Sequence, residues 1–438
     1  MGLRVFRAGH PDFARAVLST AAAVLSTAAA VLIAFPVYSV DAVAQTTPAP
    51  APPSAPTPPE AVVGGYGSDG LAIVRWGDPA KPGDPPVARL LASLHSPTFV
   101  ARDPGRRVLY VTSELSPDKG NLFAITFDGK IMSRVGSGGG APVRTAVSGD
   151  RLAVANYDGS VALFGRSAKG AIGPMLARAT TTGSGPNIER QSSSHPHSVT
   201  FTPDGSGLWV ADLGADVVVR YELGAKRASL RDVERVTMGA ESGPRQVTLG
   251  ANGLLYVASE LDGHIGILRS VTQPIAPNAA STIAASTIAA STIAASTAAT
   301  STTAASAAST ADTAKVVPKS VTQLVRRVAV RPQARLGEVT LSPDGRWLVA
   351  LSRGTSECVV YAVQGDNLLE HSHIGCGDGP RHAVFSMSGA ARGASWFFVA
   401  AQRSNEVRVY RFDDRAGTLS LLKSLPFSKP AVVIPLAK

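Results

Sequence analysis

A strand–turn–strand unit returns six times along this chain, and that repetition constrains the fold more than any other feature of the sequence. Each copy opens on an alternating apolar strand, turns tightly and comes back on a second strand. The clearest copies run from His197-Ser198-Val199-Thr200-Phe201 to Leu208-Trp209-Val210-Ala211-Asp212, and from Gly337-Glu338-Val339-Thr340-Leu341 to Trp347-Leu348-Val349-Ala350. Others begin at Ser96-Pro97, Pro142-Val143-Arg144, Pro244-Arg245 and Pro380-Arg381. Pro203-Asp204-Gly205 and Pro343-Asp344-Gly345 mark the turns, because glycine there supplies the positive φ that a tight hairpin needs. A third strand follows, as in Val217-Val218-Val219-Arg220-Tyr221 and Val407-Arg408-Val409-Tyr410-Arg411. Three or four antiparallel strands repeated at roughly 45 residues are the pattern of a β-propeller blade.

The two ends of the repeat region supply the missing parts of a seventh unit. Val62–Tyr66 and Gly70–Trp76 read as the second and third strands of a blade without its first. Ala431–Pro435 reads as a first strand without the rest. Pairing them closes the ring and removes an open sheet edge. The expected fold is therefore all-β: a seven-bladed β-propeller over residues 61–438, closed by its N- and C-terminal strands.

Outside the repeat lie segments of other kinds. Arg4, Arg7 and Arg15 form a basic start, Ala16–Phe35 is apolar, and Ala42-Val43-Ala44 is a small-x-small site. This is the layout of a secretory signal over residues 1–44, placing the mature protein in the periplasm or outside the cell. The apolar run is long enough that an uncleaved membrane anchor is the alternative. Residues 45–60 are rich in Pro, Ala and Thr and read as a solvated linker. Residues 274–319 repeat Ala-Ser-Thr-Ile-Ala and sit between Ser270-Val271-Thr272-Gln273 and Ser320-Val321-Thr322-Gln323. They read as a disordered insertion leaving from a surface loop.

Charge excludes one class of partner. The formal net charge is +10 over 438 residues, but the basic residues are scattered. Neither a Lys/Arg run nor basic–aromatic interleaving is present, so nucleic acid is not an expected partner. The two cysteines, Cys358 and Cys376, either bridge in an oxidising compartment or stay as buried thiols in neighbouring strands.

In an antiparallel blade, the start of the first strand and the end of the second lie on one face. Residues at those two phases should ring one mouth of the central channel. The first phase holds His195, His197, Arg245 and Arg381; the second holds Glu114, Asn156, Asp212, Glu260 and Gln402. Convergence of His, Arg and carboxylate is what a polar small-molecule site requires. His264 and His382 read as packing or loop residues. The His371/His373 pair reads as part of a solvated strand, not a metal site.

The stretch Gly185-Pro186-Asn187, Arg190-Gln191, His195-Pro196-His197-Ser198, followed by Asp212-Leu213-Gly214-Ala215-Asp216, resembles the seven-bladed lactonase family. That family includes a bacterial type of 6-phosphogluconolactonase and a fungal carboxy-muconate cycloisomerase. Asn156-Tyr157-Asp158-Gly159, Gly243-Pro244-Arg245, Ser259-Glu260-Leu261 and Gly379-Pro380-Arg381-His382 match further family positions. Two positions depart from the pattern: Gln246 stands where the family has His, and Asp158 replaces a glycine. The resemblance implies a catalytic set of His197, Arg245, Glu260 and Arg381, with Asn156, Asp212, His195 and Gln402 as substrate-binding candidates. It implies hydrolysis of a small anionic lactone by a monomer, without metal or other cofactor. Glu260 or His197 would be the general base; one arginine would stabilise the oxyanion and the other hold the anionic group. Lactone-opening isomerisation and an exported, non-catalytic binding module are the alternatives.

Overall fold

Seven four-stranded antiparallel sheets are arranged as the blades of a propeller. The computed structural model describes residues 60–272 and 320–436, apart from positions 69, 78–82, 116–119, 225–227 and 387–393. The signal, most of the linker and the insertion lie outside the described residues. The innermost strands of blades 1 to 6 are Pro97–Asp103, Pro142–Ser148, Pro196–Phe201, Pro244–Leu249, Leu336–Leu341 and Pro380–Ser386. Blade 7 joins the chain ends: Pro430–Pro435 is innermost and pairs with Glu60–Gly65, which is followed outward by Gly70–Arg75 and Val87–Ser93.

The blades form where the sequence patterning demands it. The second strands, such as Val108–Ser113 and Trp347–Ser352, are mostly apolar and buried along their whole length, because they lie inside the sheets with a blade on either face. The fourth strands are outermost and alternate with exposed positions. At the two Asp-Gly turns, Gly205 has φ 65° and Gly345 φ 71°. In both, the aspartate accepts from a hydroxyl two residues earlier (Thr202, Ser342) and from an amide two residues later.

One apolar cluster fills each of the seven blade interfaces. The interface between blades 6 and 7 is as apolar as the rest. There Phe398 is fully buried and its ring lies 6.0 Å from that of Trp76. Truncating such a residue to alanine costs about 3–5 kcal/mol, so the closure is held by packing as well as by the strand ladder.

Three residues of each tetrapeptide flanking the insertion pair with each other. Ser270 lies opposite Thr322, Val271 opposite Val321 and Thr272 opposite Ser320, in the outer hairpin of blade 4. Cys358 and Cys376 are free thiols and both buried. His371 packs on Trp347, with ring centroids 4.7 Å apart, and His373 lies 3.5 Å from Glu370.

Candidate active site

Each innermost strand carries a β-bulge at its second residue. The cross-strand register skips Thr98, Val143, His197, Arg245, Gly337, Arg381 and Ala431 in turn. A bulge frees one residue from the ladder and re-aims its side chain. Val143, His197, Arg245 and Arg381 use this freedom to line a cavity of about 280 Å³ at the mouth of the channel.

A second ring of residues comes from the position just past each second strand. Tyr66, Glu114, Tyr157, Leu213, Glu260, Arg353 and Gln402 each donate a backbone N–H to the residue that precedes the innermost strand of the same blade. The bond recurs in all seven blades at 2.8–3.1 Å, so these seven side chains start from equivalent points. Tyr66, Glu114, Tyr157, Glu260 and Arg353 line the cavity. Arg190 reaches it from the short helix Ile188–Gln191, whose first amides are capped by Asn187.

The four residues of the expected catalytic set meet in this cavity. Arg245 Nη1 lies 2.5 Å from Glu260 Oε2 and 2.7 Å from His197 Nε2, and Arg245 Nε donates to the Gly337 carbonyl at 2.9 Å. Arginine has only donors, so His197 Nε2 is an acceptor here. The other oxygen of Glu260 accepts from Arg190 at 3.0 Å and Arg353 at 3.3 Å. On the opposite side, Arg381 Nη2 donates to the Tyr66 hydroxyl at 2.6 Å, and Tyr66 donates to Glu114 Oε2 at 2.7 Å.

Electrostatics follow from this packing. Burial alone would raise the Glu260 pKa, but Arg245, Arg353 and Arg190 together hold it well below the usual carboxylate range. Burial and the neighbouring Arg245 push His197 well below the usual histidine value and keep it neutral. Burial, then Arg245, pulls Arg353 down to about 10, which leaves it charged at neutral pH. Burial also raises the Tyr66 pKa, so its phenol stays protonated.

The four substrate-binding candidates lie off the cavity lining. Asn156 and Asp212 stand one residue before the lining position, and strand alternation turns them the other way. Both are buried. Asp212 accepts from the amides of His195, Gly214 and Ala215 and from the Ser194 hydroxyl, fixing the turn after its strand. Asn156 donates to the Ser137 carbonyl and the Ser160 hydroxyl. His195 backs the site from behind: its ring stacks on Tyr157 with centroids 4.2 Å apart and 6° between planes. Gln402 has the lining register, but its side chain is not part of the wall. Gln246 lies below the site, where its carbonyl accepts from the Val339 amide. Asp158 accepts from the Gly140 amide.

The arginines are the largest addition to the expected set. Arg190, Arg335, Arg353 and Arg403 join Arg245 and Arg381 on the cavity wall. Arg353 shares the register of Glu114 and Glu260, a signal visible in the repeat, whereas Arg190 comes from the short helix between blades 2 and 3, outside the repeat.

Residues 60–435 match the family described as lactonase, seven-bladed β-propeller. The chain belongs to this family. It is 24% identical over 362 residues to a 6-phosphogluconolactonase of Formosa agariphila, covering 78% of this chain and 88% of that one. Among solved structures it is similar to the periplasmic gluconolactonase of Pseudomonas aeruginosa, with a TM-score of 0.65, 24% identity and coverage of 86% of this chain and 99% of that one. A protein from Lactobacillus plantarum gives a TM-score of 0.68 at 24% identity, covering 87% and 100%. These structural likenesses show the same propeller fold.

Proposed function

We propose that this lactonase-family protein hydrolyses the ring ester of a sugar-type lactone bearing an anionic group, of which 6-phosphogluconolactone is the type, and that it works outside the cytoplasm. The charge imbalance of the cavity carries this reading: six guanidinium groups share its wall with two carboxylates and a neutral histidine. Ester hydrolysis passes through an oxyanion and ends in a carboxylate, so the reacting end of the substrate gains negative charge where the wall is positive. Arg381 keeps N–H groups beyond the one given to Tyr66 and suits the oxyanion. Arg335 makes no side-chain hydrogen bond or ion pair among the described residues and suits a phosphate at the far end of the ligand, through charge-assisted bonds. The cavity lies at the small end of ligand pockets, which span about 300–1,000 Å³, and fits a single ring better than a polymer. The basic start, apolar run and Ala42-Val43-Ala44 site support export.

The test is acid release above the spontaneous rate, with freshly made 6-phosphogluconolactone and unphosphorylated gluconolactone as substrates. We expect turnover of both, with kcat/KM at least about tenfold higher for the phosphorylated lactone, equivalent to ~1.4 kcal/mol. Arg335→Ala should narrow that ratio. No release above background from the folded protein would overturn the proposal.

A further inference from the structure

We infer that Glu114 is the general base of the lactonase reaction proposed above, with Tyr66 and Arg381 as the groups that hold it and receive the oxyanion. The inference rests on that reading and assigns the proton transfer within it.

Three groups in the cavity have the chemistry of a base, and geometry separates them. Both oxygens of Glu260 are taken by guanidinium groups, at 2.5, 3.0 and 3.3 Å. His197 spends its Nε2 lone pair on Arg245 at 2.7 Å. Glu114 uses one oxygen, Oε2, to accept from Tyr66; its Oε1 makes no hydrogen bond among the described residues, and the residue lines the cavity. Its side chain is 17% exposed, against 4% for Glu260, so it is open to water inside the site. A base must reach the proton it takes, and Glu114 Oε1 is the carboxylate oxygen left free to do so.

The surroundings suit the task. Among the described residues, Tyr66, from the end of the second strand of blade 7, and Arg381, from the bulge of blade 6, are the titratable and charged groups that face Glu114. Arg381 Nη2 lies 3.8 Å from its Oε2. Elsewhere on the same wall stand Arg190, Arg245 and Arg353 around Glu260, with neutral His197. A carbonyl oxygen set against the remaining N–H groups of Arg381 has its carbon beside Glu114. Glu114 takes one proton from a water as the water oxygen bonds to that carbon, and the carbonyl π pair moves onto oxygen. When the tetrahedral species collapses, the ring C–O bond breaks and the ring oxygen takes the proton back from Glu114. Lactone and water give the hydroxy acid, which then ionises.

The experiment compares the wild type with Glu114→Gln and Glu114→Asp by acid release across pH, alongside binding of 6-phosphogluconate as a check on the site. Expected for Glu114→Gln are a fall in kcat of about 10²–10⁴-fold, product binding kept, and loss of the acid limb of log kcat/KM. Glu114→Asp should restore part of kcat and the acid limb. A Gln variant that keeps wild-type kcat, or that loses kcat but retains the same acid limb, overturns the assignment while lactonase activity stands. A wild type without lactone hydrolysis overturns the proposed function and this inference with it.

Discussion

Glu114 and Glu260 occupy the same register in blades 1 and 4, yet the fold gives them opposite surroundings. Glu260 is buried among three guanidinium groups that use both of its oxygens. Glu114 is tied by one tyrosine hydroxyl, and its other oxygen makes no hydrogen bond among the described residues. Equivalent backbone positions thus yield a structural anion and a chemically available one. What separates them is the residues brought by neighbouring blades and by the loop carrying Arg190. Backbone geometry places a carboxylate; its neighbours decide whether it can exchange a proton.

The largest effect that would break this contrast is on stability. Glu260→Gln leaves Arg245, itself buried, without its counter-charge, and removing one partner of a buried pair costs about 3–5 kcal/mol. Urea unfolding of Glu260→Gln beside Glu114→Gln should show a loss of that size only in the first. Equal losses would mean that the two carboxylates are held alike.

A smaller effect sharpens the contrast through pH. His197 stays neutral in the folded protein, whereas in the unfolded chain it takes a proton near its ordinary pKa of about 6.5. The unfolded state then binds more protons below that value. The stability due to neutral His197 is present above about pH 6.5 and falls by up to ~1.4 kcal/mol per pH unit below it. Replacing His197 by Asn should flatten unfolding free energy against pH between about 6.5 and 5. Glu260 adds stability that is present above its unfolded value of about 4.3 and is lost as pH falls below it.

The smallest effect concerns Tyr66. Tyr66→Phe removes two hydrogen bonds, the one accepted from Arg381 and the one donated to Glu114, while the ring keeps its packing, so the loss is about 1–2 kcal/mol. Thermal unfolding should register a shift of that order, below the loss expected in Glu260→Gln.

Much of this architecture is legible in the sequence for a physical reason. Alternating strands and Asp-Gly turns are local, so each blade announces itself, and Val62–Tyr66 with Ala431–Pro435 reveals closure because an unpaired edge is unfavourable. His197, Arg245, Glu260 and Arg381 were findable through repeat phase and family motifs. Repeat phase places Asn156 and Asp212 among the lining residues because it blurs adjacent positions, and one residue changes the face. Tyr66 and Arg353 hold the lining register, but neither carries a motif. Arg190 depends on how the loop after blade 2 folds, which no periodicity encodes. The bulges leave no mark in the sequence because a skipped residue keeps the local alternation almost intact.

Those bulges have a consequence for how such a scaffold changes over time. A residue outside the pairing register has no cross-strand partner to lose when it is exchanged. Seven such residues surround one axis, and here they range from alanine and glycine to histidine and arginine. New ligand preferences can therefore arise by single replacements at such points without a change of strand pairing, Gly337 excepted, because a Cβ there would run into the Pro380 carbonyl oxygen, and Arg245 excepted, because it holds a buried ion pair.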